Sequence, residues 1–172
     1  MRKRRFVPLA AGAVSIGALG LVIAQEFSPR LVWNASASAP IGLYKIKAGA
    51  HPRIGEFALV KPEPALETFI TDRGYIPPKI PLIKRVAALP GDEICRHDEA
   101  ILVANIHVAD ALFFDSAGRE MPVWRGCVTL RSDEIFLLNA PENSLDGRYF
   151  GATRMTDVMG VAIPVLVWEK PR

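Results

Sequence analysis

The sequence predicts a mainly β, antiparallel domain preceded by one N-terminal transmembrane helix. Three observations carry that expectation. From Leu43 onward the chain runs in short apolar segments cut by Pro and Gly, the spacing of strands and turns. Beyond residue 24 no long stretch repeats its apolar residues with a helical period. Phe6–Ala24 is an uncharged run of 19 residues that follows four consecutive basic ones, Arg2, Lys3, Arg4 and Arg5.

As a helix, residues 6–24 would span about 28 Å, close to the roughly 30 Å hydrocarbon core of a bilayer. The basic tail, residues 1–5, then stays in the cytoplasm, and residues 25–172 form one periplasmic domain on a single-pass inner-membrane anchor. A cleavable signal peptide is the alternative, because the run is rich in Ala and Gly and Ala35-Ser36-Ala37 has the small residues of a cleavage site. Cleavage there would remove the start of the turn described next, which favours the anchor. Without the four tail charges, 17 basic residues stand against 18 acidic ones. So neutral a body offers no face for nucleic acid.

Gln25–Trp33 reads as a connector holding the next stretch near the membrane. In Asn34–Tyr44, Ser36 and Ser38 lie two apart among alanines, and Pro40 and Gly42 then force an irregular backbone. Such a turn presents a hydroxyl without crowding, although a Ser/Ala/Pro linker has the same composition. Ile54–Val60 reads as a strand, ended by Lys61–Pro64. Leu66–Pro81 has no sustained period and carries Pro77-Pro78, so a loop is expected. Leu82–Leu89 reads as a strand with Leu82, Lys84, Val86 and Ala88 on one face. A lysine among apolar neighbours is either buried for a reason or snorkels to solvent from an edge strand. Ile94–Val108 reads as a hairpin or meander, Ala109–Gly126 as an excursion of loop character, and Glu134–Asn139 as a strand. Val158–Trp168 is a last apolar strand, broken by Pro164. No repeat is visible.

Three boxes, in order, resemble the serine–lysine signal peptidase family and in particular its TraF-type branch from conjugative transfer systems. Ser36-x-Ser38-x-Pro40-x-Gly42-Leu43-Tyr44 is the first. Ile83-Lys84-Arg85-Val86 followed by Leu89-Pro90-Gly91-Asp92 is the second, and Asn143–Gly151 is the third, usually Ser-x-Asp-Ser-Arg. The resemblance runs from about residue 27 to near the C-terminus. It implies a signal-peptidase-like antiparallel β domain with a small inserted subdomain, here around Ala109–Gly126. It implies Ser38 as nucleophile and Lys84 as general base, with the Ser38 N–H and the Ser36 hydroxyl as oxyanion donors. Ser144 would orient the lysine amine, and Asp146 and Arg148 would hold the third box. Gly147 departs from the pattern, standing where the family has a second serine.

Elementary chemistry agrees with that assignment. A serine needs a base to take its proton, and a lysine serves only when neutral, which burial favours. No Gly-x-Ser-x-Gly elbow or His-Glu-x-x-His is present, and His51, His97 and His107 have no triad context. Asp92 reads as a turn residue. No cofactor or metal is expected. Cys95 and Cys127, an even pair in an oxidising compartment, are expected to be bonded, with two free buried thiols as the alternative. The partners implied are a precursor protein (a pilin or another signal-peptide-bearing chain), the lipid bilayer, and components of a conjugation or secretion apparatus. The resemblance leaves two fates for an acyl-enzyme, hydrolysis or transfer to the pilin's own N-terminus to give a circle. Other readings are an ordinary type I signal peptidase, a self-cleaving repressor, which lacks its DNA-binding module here, and a non-catalytic β module of a secretion assembly.

Overall fold

The computed structural model describes residues 29–168. The basic tail and the expected transmembrane helix, residues 1–24, lie outside the described residues. Within those described, no helix is long and apolar enough to cross a membrane.

Two antiparallel sheets make up the fold. The larger is built from β1 (Leu31–Asn34), β2 (Ile41–Ala48), β3 (Phe57–Val60), β4 (Leu82–Ala88), β9 (Glu134–Leu137), β10 (Thr153–Arg154) and β11 (Val158–Trp168), in the spatial order β1-β2-β11-β3-β4-β9-β10. The smaller holds β5 (Glu93–His97), β6 (Ala100–Val103), β7 (Ile106–Asp110) and β8 (Gly126–Thr129), in the order β7-β6-β5-β8. It is inserted between β4 and β9, which pair directly with each other through Val86↔Leu137 and Ala88↔Phe136. The mainly β expectation therefore holds, with the excursion larger than the stretch 109–126.

The large sheet buries both faces at its centre, and this explains the unbroken apolar run of β3. Phe57 and Leu59 pack with Tyr44, Ile46 and Ile83 on one side. Ala58 and Val60 pack with Val86, Ile135 and Leu137 on the other. Lys84 is the cross-strand partner of Ala58, so its side chain enters this second apolar layer. The inserted sheet has its own core of Ile94, Ile101, Ala111, Met121 and Leu130, closed by Phe136 and Tyr149 from the main body.

Gly42 is fixed by close approach. Its φ is +139°, and a Cβ there would lie 2.1 Å from the Leu166 carbonyl oxygen of β11. Only a glycine lets β2 leave the serine turn pressed against β11.

Several expectations need correction. The presumed loop Leu66–Pro81 opens with a helix, α1 (Pro64–Asp72). Pro64 suits the first turn, where its missing N–H costs nothing, and Leu66, Phe69 and Ile70 turn inward at helical spacing. Nine residues are too few for that period to stand out. The connector Gln25–Trp33 contains most of β1, which pairs with β2 from Leu31↔Lys45 to Asn34↔Gly42. The strand expected from Ile54 starts only at Phe57. Pro164 does not break β11, which absorbs it by a register shift between Pro164 and Leu166.

Candidate active site

Asn34, at the end of β1, shapes the serine turn. Its Nδ2 donates to the carbonyls of Ser36 at 2.9 Å, Ala39 at 3.1 Å and Pro40 at 3.0 Å, and its Oδ1 accepts from the Ser36 N–H at 3.1 Å. The buried Tyr44 hydroxyl donates to the Pro40 carbonyl at 2.7 Å. Ala39 is buried in the core between Tyr44 and Ile83. One amide side chain and one alanine thus pin a segment that composition alone would call a linker. Ser36 stays exposed and Ser38 half-buried. Their hydroxyls are 3.0 Å apart, and the Ser38 N–H donates to Ser36 Oγ at 3.3 Å.

Lys84 is 5% exposed. Its Nζ donates to Ser144 Oγ at 3.1 Å. Burial among the residues of β3, β4 and β9 lowers its pKa to about 8, with the Asp146 carboxylate opposing that shift and the Arg148 guanidinium adding to it. Ser38 and Lys84 line one cleft of about 940 Å³, walled mainly by apolar side chains such as Ile80, Leu112 and Phe114. In this geometry Ser38 Oγ is bonded to Ser36 and Lys84 Nζ to Ser144, and not to each other. Catalytic hydrogen bonds often tighten only with substrate in place.

The third box is held by an ion pair closed to solvent. Asp146 caps the short helix α2 (Gly147–Phe150) by accepting from the Arg148 N–H at 3.2 Å, and it accepts from Arg148 Nε at 3.1 Å and the Asn139 N–H at 3.0 Å. The rest of the Arg148 guanidinium donates to the carbonyls of Asn139, Pro141 and Glu142. The loop that carries Ser144 is therefore wrapped around one buried arginine. Gly147, the departure from the family pattern, has a structural cause. A Cβ there would sit 2.5 Å from Phe136 Cε2 and 2.7 Å from the Leu137 carbonyl. The ring of Phe136 fills the place of a serine side chain.

Asn139 is a residue that sequence reasoning missed. It follows β9 directly, and its Nδ2 donates to the Ile83 carbonyl at 3.1 Å while its Oδ1 accepts from the Arg85 N–H at 2.9 Å. It continues the β4 ladder by side chain on both sides of Lys84. Arg96 and Trp124 were missed as well. Arg96 Nη1 donates to the Arg148 carbonyl at 2.6 Å, and Trp124 Nε1 donates to those of Gly147 at 3.0 Å and Arg148 at 3.1 Å. Nothing local in the sequence ties any of these three to the boxes.

Cys95 and Cys127 are disulfide-bonded as cross-strand partners of β5 and β8, and neither lines the cleft. With His97 they form the one grouping of metal-type donors among the described residues, within 4.8 Å of one another, but both sulfurs are spent in the bond. None of the three histidines lines the cleft. Asp92 closes a turn, its Oδ2 accepting from the Leu89 N–H at 2.8 Å.

A family model described as signal peptidase, peptidase S26, matches residues 4–168. The plasmid transfer protein TraF of Escherichia coli is 29% identical over 172 residues, covering 91% of this chain and 94% of that one. The conjugal transfer protein TraF of Agrobacterium fabrum (strain C58) is 28% identical, covering 90% and 94%. A solved signal peptidase I from Enterococcus faecalis V583 aligns at 19% identity and a TM-score of 0.37 over 64% of this chain and 96% of that one, too slight a likeness to build on.

Proposed function

Because this chain belongs to the signal peptidase family, peptidase S26, we propose that it is a membrane-anchored serine endopeptidase with Ser38 as nucleophile and Lys84 as general base. One observation carries the reading. A lysine buried to the point of a pKa of about 8 shares a cleft with a serine on a pinned turn. Neutral Lys84 takes the Ser38 proton as Oγ attacks the scissile carbonyl. The Ser38 N–H and the Ser36 hydroxyl release each other and turn to the oxyanion, and the Lys84 ammonium then protonates the leaving amine. Ser144 keeps the amine aimed, and Asp146 and Arg148 keep Ser144 in place.

The relatives named for plasmid and conjugal transfer favour an exported precursor of a conjugation apparatus, a pilin precursor, as substrate. The acyl-enzyme on Ser38 is then released by water, or by an amine of the pilin itself to give a circle. The domain is proposed to face the periplasm with its cleft near the bilayer. Exposed Leu31, Trp33, Leu166 and Trp168 favour this, with the rings of Trp33 and Trp168 at 5.5 Å, beside the end of the domain that leads back to residues 6–24.

The test is cleavage of a membrane-embedded precursor by three variants. Ser38→Ala and Lys84→Ala are expected to abolish it, and the double variant to be no worse than either, because the two act as one unit. Ser36→Ala is expected to lose about 10²–10³ in rate, since the backbone donor remains. Near-normal cleavage by Lys84→Ala overturns the assignment even if Ser38→Ala is inactive.

A further inference from the structure

A second cavity, of about 240 Å³, reaches Lys84 from outside the substrate cleft. Its mouth is set by the exposed residues Lys61, Glu63 and Arg154, and its floor by buried Leu82, Lys84 and Leu137. Among the described residues only Leu82, Lys84 and Leu145 belong to both cavities, so Lys84 is the one polar side chain common to them there. The space has room for several waters at about 30 Å³ each. Its walls provide the polar partners that such waters need, among them Thr153, Glu134 and Asp157. Among the described residues Lys84 Nζ has one side-chain partner, Ser144, which leaves its other positions for Ser38 and for solvent.

We propose that this cavity is the water entry for deacylation, an inference that rests on the Ser38–Lys84 reading. While a precursor's acyl portion fills the apolar cleft, water reaches the ester past Lys84 from behind. Lys84 takes one proton from that water as its oxygen bonds to the acyl carbon. The tetrahedral centre collapses, the bond from carbon to Ser38 Oγ breaks, and the Lys84 ammonium returns the proton to Oγ. The products are the free acid and free Ser38. Acylation requires no water from the cavity, so the two half-reactions depend on it differently.

The experiment fills the cavity from two separate walls, with Ala152→Leu and Leu66→Trp made singly in the full chain, so that a folding failure in one leaves the other. The probe is the p-nitrophenyl ester of an acetylated leucine/alanine pentapeptide that ends in alanine, long enough to lie along the apolar cleft, followed as a nitrophenol burst and a steady state, with mass spectrometry of the Ser38 peptide. A folded variant is expected to keep its burst rate within about twofold while steady-state turnover falls about tenfold or more and acyl-Ser38 accumulates. Parental deacylation in a folded, filled variant overturns the water path and leaves the dyad standing. A burst and steady state that fall together in a folded variant also overturn it. Absence of acyl-Ser38 in the parent chain removes the dyad reading and this inference with it.

Discussion

Burial holds the Lys84 amine near pH 8 against an ordinary 10.5, so as an ammonium it opposes folding. The folded-state pKa is the lower one. The cost is therefore fully present below about pH 8, shrinks as pH rises, and is gone above about 10.5. A depression to about 8 corresponds to about 3 kcal/mol at neutral pH. Lys84→Met is accordingly expected to be inactive yet more stable than the parent by up to about 3 kcal/mol at pH 7, with little difference left at pH 10.5, as read from denaturant curves. In the parent, kcat/KM is expected to fall about tenfold per pH unit below 8, because in the proposed mechanism only the neutral amine serves as base. A rate independent of pH from 6 to 9 speaks against Lys84 as that base. Asn139 acts on the same residue through the backbone. Asn139→Ala leaves the Ile83 carbonyl and the Arg85 N–H unpaired on either side of Lys84, at a cost of about 1–3 kcal/mol. Its cleavage rate is expected to drop further than its melting curve explains.

Between β5 and β8 the disulfide closes a loop of 32 residues. Its loss in the paired Cys95→Ala, Cys127→Ala variant is expected to cost about 3–4 kcal/mol of stability by chain entropy, measured with and without reductant. The parent in reductant should match the variant. That pair was legible because an even cysteine count, with the oxidising compartment that the sequence led us to expect, constrains it without reference to shape. The serine turn, the Lys84 strand and the order of the boxes were legible for a similar reason, since each is a local pattern. Helix α1 was not, because nine residues hold too few turns for a period to emerge. Asn139, Arg96 and Trp124 were not, because each acts through backbone carbonyls or N–H groups supplied by residues distant in sequence, and such partners leave no mark on neighbouring side chains. Gly147 was legible only as a departure. Its cause lies in Phe136, which the fold brings beneath it.

The whole chain, in the proposed orientation, carries residues 1–5 in the cytoplasm and residues from 25 onward outside. Protease added to intact spheroplasts is expected to remove the domain and spare a tag at Met1, and full protection of the domain would overturn that orientation. The place of the small sheet has a further consequence. An excursion spliced between two strands that already pair is, topologically, an exchangeable cassette. Its ends are neighbours, and the parent sheet closes without it. Arg96 and Trp124 restrict that freedom, because from inside the cassette they supply donors to the Gly147 and Arg148 carbonyls at the back of the third box. A chimaera that swaps residues 93–129 for a linker of suitable span should therefore still close β4 onto β9, yet release the helix that anchors Ser144. On that expectation the cassette is less an ornament on the domain than a keystone, separable in the wiring and needed in the arch.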